Sequence, residues 1–388
     1  GVINMSNTDD RIVSHEYKRI VVKAGTSLLT GGTGQLDMPT ISNIVKQICD
    51  LQNKGKEVTL VSSGAVAAGR EVLEKLTLGN NLNLEKQALA AIGQGRLIQI
   101  YEDMFFSEKI LSAQALVSRR DVHDRLGYLN LRNTLLELLN NHVVPVVNEN
   151  DVVALEELTG KVFGDNDTLS ALVSNSIDAD LLIILGTIKG LYTKDPTVHN
   201  DAEIISVVEK IDKNILSYAG PPSDDFGRGG MSTKLEAARL ATASGVDVVI
   251  ASGHEDNGLI RIINGENVGT LFKATTTKVE SRKRWMLSAI DLNDNNIAIK
   301  IDTGAKDALI KGGSLLPPGV ISCSGEFYRG EIVAIVGEDD DIIGVGITNY
   351  SMADISEVQS LNSSDIKKML GHYYGDEIVH RDNLVLLD

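Results

Sequence analysis

Apolar and polar positions come in blocks along the first two-thirds of the chain. Short, continuously apolar runs occur at RIVVKAG (19–25), EVTLVSSG (57–64), VVPVVNEN (143–150), DLLIILG (180–186) and VDVVIASG (246–253). Most are rich in Val and Ile, as parallel strands covered on both faces should be. Between them lie stretches of helical pattern, among them MPTISNIVKQICDLQNKG (38–55) and MSTKLEAARLATASG (231–245). The second closes on Gly245, a residue suited to the position just past a helix end. Strand–helix alternation of this kind predicts an α/β three-layer sandwich with a mainly parallel central sheet.

The pattern changes after Ala274. TTTKVESRKRW (275–285) is polar and basic and reads as a linker. Short, glycine-punctuated strands follow: IAIKID, GVISCSGEFYRGEIVAIVG and DIIGVGITNY. They predict a small, mainly β barrel with one or two helices, then a polar helix at SSDIKKMLG (363–371) and a short tail. The expected division is an α/β domain over 17–275, a linker over 276–283 and a mainly β domain over 284–388.

Composition narrows the class. The chain has 388 residues, 43% of them hydrophobic, enough for two packed domains. Its formal net charge is −16, which argues against a general nucleic-acid or anionic-membrane binder. Two cysteines in no CxxC pair argue against a disulfide framework or a structural zinc site. No apolar run reaches membrane-spanning length. The polar start, GVINMSNTDD, lacks the apolar centre of a signal peptide; Gly1 to Asn4 reads as an expression remnant, with Met5 the natural start. A cytoplasmic location is expected.

In open α/β sheets, ligands bind beyond the carboxyl ends of the strands. There the chain places Lys23 and a Gly-Thr-Ser turn, then Ser62-Ser63-Gly64, then Asn148 to Asp151, then Gly186-Thr187. Shortly after the third run comes FGDNDTLSALV (163–173), with Asp165, Asn166 and Asp167 side by side at an apparent helix start. One N-cap needs one such residue, and carboxylates in a first turn also suit the helix dipole, so a cap alone would account for part of the stretch. The loop from Gly227 to Lys234 is glycine-rich and enters a helix with a lysine one turn in. Backbone N–H groups in such turns suit phosphate oxygens. Neither a Walker A sequence nor a GxGxxG fingerprint is present. Two lysines flanking a carboxylate would suit phosphoryl transfer, which asks for positive charge and little covalent chemistry from the protein.

The motifs VVKAGTSLLTGG, VSSGAVAAGR, VVPVVNENDVV, FGDNDTLSALV, KGLYTKDP, GRGGMSTKLEAA and ESRKRW together resemble the amino-acid kinase family, in its glutamate 5-kinase branch, fused to a C-terminal PUA domain. The resemblance runs from about Arg19 through Asp382, and the NEND and FGDND stretches are its most specific part. It implies ATP-dependent phosphorylation of the γ-carboxylate of L-glutamate, the first step of proline biosynthesis, with ATP and Mg²⁺ as cofactors. It further implies Lys23 and Lys234 at the transferring phosphoryl group, with Asp167 orienting them. Ser63, Asp151 and Asn166 would hold glutamate, with Asn148 and Asp165 close by. The ATP site would comprise Lys23, Gly186, Thr187 and the loop Arg228, Gly229, Gly230, Met231, Ser232, Thr233 and Lys234. No metal-ligating residue is assigned.

Two positions depart from the resemblance, since the family usually has Thr-Asp where this chain has Gly186-Thr187 and usually a Thr where it has Arg228; both lie on the nucleotide side. The resemblance also implies feedback inhibition by proline and a homo-oligomer, dimer or tetramer. Docking of a glutamyl phosphate reductase is left open. Two rival readings remain. One is another amino-acid kinase, acting on acetylglutamate, aspartate, carbamate or a nucleotide. The other is RNA binding through the β domain, against which residues 284–388 carry eight Lys and Arg and seventeen Asp and Glu.

Overall fold

The computed structural model describes residues 17–76, 84–118, 121–122, 124–153, 166–219, 230–288, 297–359, 361–362 and 365–387. The chain divides into two compact units, one of residues 1–122 and 131–277, the other of residues 123–130 and 278–388.

The first unit is built on an eight-stranded sheet of order β3-β4-β2-β1-β5-β7-β8-β6. Its strands are β1 (Arg19–Ala24), β2 (Glu57–Val61), β3 (Ser112–Val117), β4 (Val144–Glu149), β5 (Leu181–Gly186), β6 (Val207–Val208), β7 (Asp247–Ser252) and β8 (Thr270–Phe272). The five expected runs are β1, β2, β4, β5 and β7, and all five lie parallel at the centre. The sheet is mainly rather than wholly parallel because β8 runs antiparallel to β7. Apolar cores cover both faces. Ile20, Val22 and Ala24 of β1 join one core, with helices Met38–Asn53 and Lys86–Ser107. Val21 joins the other, with helices Asp167–Ser176 and Met231–Thr242. This is the expected three-layer sandwich.

β1 sits between β2 and β5, with Lys23 in register with Val61 and Ile184. Alternation along the strand puts Lys23 on the Val21 face, toward the helices that start at Asp167 and Met231. Two helices on the other face approach backbone to backbone. A Cβ on Gly93 would stand 1.8 Å from the Ala65 carbonyl oxygen, and one on Gly69 would stand 2.0 Å from that of Leu89. Only glycine permits that approach between helices Ala65–Leu76 and Lys86–Ser107.

The second unit contains a five-stranded sheet of order β10-β9-β11-β12-β13. Its strands are β9 (Ala298–Ile301), β10 (Val320–Ser324), β11 (Ile332–Val336), β12 (Ile342–Ile347) and β13 (Leu384–Leu386). The pattern predicted one or two helices and a further polar helix in this domain, and Thr303–Ile310, Met352–Val358 and Ile366–Leu370 are helical there; Lys278–Ser288 is helical as well. The stretch read as a linker is thus mostly helix. Met286, just past that stretch on the same helix, is buried with Leu129, Ile332, Val345, Ile347 and Val385. Cys49 and Cys323 are both free thiols. Among the described residues, no helix is long and apolar enough to cross a membrane.

Candidate active site

Lys23 is fully buried near the end of β1. A buried ammonium needs an anionic or hydrogen-bonding partner, because isolating it from water is costly. Its Nζ lies 2.7 Å from Oδ1 of Asp167, which is also fully buried. Asp167 is the first residue of its helix, where the helix dipole favours a negative charge. Its other oxygen, Oδ2, lies 3.3 Å from Nζ of Lys234 and accepts a hydrogen bond from Thr233 Oγ1 at 2.8 Å. Lys234 comes from the first turn of helix Met231–Thr242, so three elements meet at one carboxylate. The three charged groups together carry one net positive charge.

Gly230 caps the helix that carries Lys234, and its carbonyl accepts from Thr233 Oγ1 at 2.9 Å. Thr233 therefore ties Gly230 to Asp167. At the end of β5, a Cβ on Gly186 would stand 3.2 Å from Cε of Lys234. The bare backbone at Gly186 leaves room for the lysine stem, which gives this departure from the family pattern a local packing role. Thr187, just beyond the strand, and Ser232, on the helix, are exposed, and Met231 is half-buried against the core.

A second polar group gathers beside the carboxylate. Asn166 occupies the N-cap position of helix Asp167–Ser176 but makes no side-chain cap. Its Nδ2 instead donates to the Ser62 carbonyl at 2.5 Å and to Asn148 Oδ1 at 2.6 Å. The cap reading of this stretch therefore fails for Asn166. Asn148, buried in β4, donates in turn to Oε1 of Gln94 at 2.7 Å. Its Oδ1 also accepts from the backbone N–H of Glu149 at 2.8 Å. The Ser62 hydroxyl pairs with that of Tyr101 at 2.8 Å. Burial pushes the Tyr101 phenol up to about 12, against the lowering effect of that hydrogen bond, so it stays protonated at neutral pH.

The structure thus brings Lys23, Asp167, Thr233 and Lys234 together, and separately Asn148 and Asn166. Ser63 is buried directly after β2, beside Ser62, whose hydroxyl donates to its carbonyl at 3.0 Å. Asp151 is half-buried in the turn beyond β4. Asp165, Arg228 and Gly229 lie outside the described residues. Sequence reasoning missed Gln94. It lies mid-helix in a mixed polar stretch, and the neighbouring Gly93 was the one available hint of a close approach.

The sheet with its buried lysine–carboxylate–lysine cluster defines a class. The sequence model of the amino acid kinase family matches residues 18–252, and that of the PUA domain matches residues 297–370. The chain belongs to the amino acid kinase family, among relatives named glutamate 5-kinase. The glutamate 5-kinase of Dehalococcoides mccartyi (strain CBDB1) is 46% identical over 96% of this chain and 99% of its own. That of Herpetosiphon aurantiacus is 45% identical over 95% of this chain and 98% of its own. A solved structure, UMP kinase from Bacillus anthracis, matches 68% of this chain and 98% of its own at 16% identity and a TM-score of 0.46, too slight a likeness to build on.

Proposed function

We propose that the chain transfers the γ-phosphoryl group of Mg-ATP to the γ-carboxylate of L-glutamate, giving γ-glutamyl 5-phosphate and ADP. The relatives named glutamate 5-kinase over nearly the full chain support this reading. The single observation that carries the chemistry is Asp167, with Lys23 on one oxygen at 2.7 Å and Lys234 on the other at 3.3 Å.

A glutamate γ-carboxyl has a pKa of about 4.3, so it is already ionised at neutral pH and needs no general base. One of its oxygens forms the new bond to the γ-phosphorus as the bond to the bridging oxygen of ADP breaks. The obstacle is repulsion between two anions. Lys23 and Lys234 would offset it, and Asp167 would hold both ammonium groups in place without a further ordering step. Among the described residues, no three His, Cys, Asp or Glu side chains gather to hold a metal ion. Mg²⁺ is assigned to the nucleotide, which would carry it in as Mg-ATP.

Asn166 and Asn148, with Ser63 and Asp151, would recognise the amino-acid end of glutamate; Asp165 belongs to the same reading. The Arg228 to Lys234 loop, with Gly186 and Thr187, would face ATP. Proline as a feedback inhibitor, a homo-oligomeric assembly and docking of a glutamyl phosphate reductase complete the proposal on the strength of the family likeness.

The test is ADP release with Mg-ATP and glutamate, acetylglutamate, aspartate, carbamate or UMP, with hydroxylamine present to trap an acyl phosphate as its hydroxamate. Glutamate-dependent hydroxamate is expected. Turnover on a different acceptor would keep the two lysines and overturn the substrate.

A further inference from the structure

Arg329, in the second unit, has a guanidinium that meets no acceptor among the described residues. Its Cζ lies 3.9 Å from the centroid of the Tyr374 ring, a cation–π stack. Its Nε is buried and has no hydrogen-bond partner. Buried N–H groups are nearly always paired, so an orphan calls for a reason. The two Nη groups likewise meet no acceptor among the described residues, but they are not sealed from solvent as Nε is. Burial holds the Arg329 pKa below its usual value, against a raising effect from Tyr374 and Tyr350.

The neighbouring carboxylates are engaged elsewhere. Asp354 accepts from Ser351 at 2.7 Å and stands 3.3 Å from His372 Nε2. Asp376 accepts from the Tyr373 hydroxyl at 2.9 Å, and Glu331 from the Tyr328 backbone at 2.8 Å. The ring under Arg329 is itself held. The Tyr374 backbone N–H donates to the Tyr350 hydroxyl at 2.8 Å, and that hydroxyl donates to the Gly375 carbonyl at 2.6 Å. The stack is thus a fixed platform with one open, planar, donor-rich edge. A guanidinium edge of that kind matches an oxyanion with two oxygens to offer.

We propose that Arg329, stacked on Tyr374, is an oxyanion site that takes the phosphate or carboxylate group of a small molecule on its two Nη groups. Arg329 and Tyr374 belong to the second unit, and the lysine cluster belongs to the first. The acidic balance of residues 284–388, eight Lys and Arg to seventeen Asp and Glu, disfavours a long phosphate backbone.

The test uses the full chain labelled with [15N]arginine. The Arg329 Nε–Hε signal is identified by its loss in Arg329→Lys and, should that variant not fold, by its displacement in Tyr374→Leu, which removes the ring. The chain is titrated at constant ionic strength with inorganic phosphate and separately with succinate. Saturable movement of the signal is expected, undiminished in Lys234→Ala. Movement with phosphate alone assigns a phosphoryl ligand, and movement with succinate alone assigns a carboxylate. The proposal is overturned if neither anion moves the signal, or if the movement disappears in Lys234→Ala. It is also overturned if a short single-stranded RNA moves the signal and neither small anion does.

Discussion

The side-chain amide of Asn166 donates to that of Asn148 at 2.6 Å, joining the start of one helix to the end of β4. Asn166 thereby gives up the capping bond its position invites. Its next neighbour, Asp167, faces the two lysines. In the proposed reading, two adjacent residues would thus serve two adjacent sites. The proposed glutamate pocket and the proposed phosphoryl-transfer cluster would be fixed to each other by one peptide unit.

Gln94 is the outer member of that relay, bonded to Asn148 at 2.7 Å. Replacing it with Leu leaves Asn148 Nδ2 without that acceptor. A lost hydrogen bond of about 1–1.5 kcal/mol corresponds to roughly a tenfold effect. Steady-state kinetics of Gln94→Leu should therefore show KM for glutamate raised about tenfold and KM for ATP nearly unchanged. Equal changes in both would mean Gln94 serves only the fold.

The neighbouring glycine offers a packing test. In Gly93→Ala, the new methyl would lie 1.8 Å from the Ala65 carbonyl oxygen, so helix Lys86–Ser107 must move. Overpacking of this kind costs about 1–3 kcal/mol. Thermal unfolding should show a lowered Tm, and the displaced Gln94 should raise KM for glutamate. A fully stable variant with normal kinetics would mean the helices are not in close contact.

Much of this site was legible in the chain. Lys23 closes an apolar run where a solvated lysine is out of place, and FGDND holds more polar residues than a cap needs. The central strands were readable because they are apolar on both faces. β3 was not, since only Val117 of its six residues is buried. Helix Lys278–Ser288 begins in the stretch read as linker because charged and polar residues dominate its first turns. Contacts across long sequence separations leave no local pattern, and Gln94, 54 residues from Asn148, is the clearest case.

Asp167→Asn keeps the shape of the side chain and removes the charge that faces Lys23 and Lys234. Breaking a buried ion pair from one side costs about 3–5 kcal/mol. Both stability and kcat should fall, as read by thermal unfolding and by turnover at saturating substrates. A variant as stable as the parent would mean the lysines are held mainly by other groups.

Glu57 supports the start of β1 from the opposite strand. It receives Arg19 Nε at 2.7 Å and stands 3.1 Å from Lys18 Nζ. Burial raises its pKa, but these cations outweigh burial and hold it below the usual carboxylate value. A depressed folded-state pKa contributes stability above the unfolded pKa, and that stability is lost as pH falls through the folded value. Glu57→Gln should therefore unfold more easily than the parent at pH 7, by about 1.5–3 kcal/mol for a hydrogen bond to a charged group. The gap should close as pH falls below the ordinary carboxylate range, about 4.3. Urea unfolding at several pH values reads this, and a gap independent of pH would contradict it.

The most direct measurement is turnover of Lys234→Ala at saturating Mg-ATP and glutamate, with the variant's fold checked by its thermal transition. Loss of a group that stabilises transition-state charge lowers kcat by about 10²-fold or more, and that is the predicted result. Near-normal kcat in a folded Lys234→Ala would contradict the account, because phosphoryl transfer would then not depend on the cation that Asp167 holds.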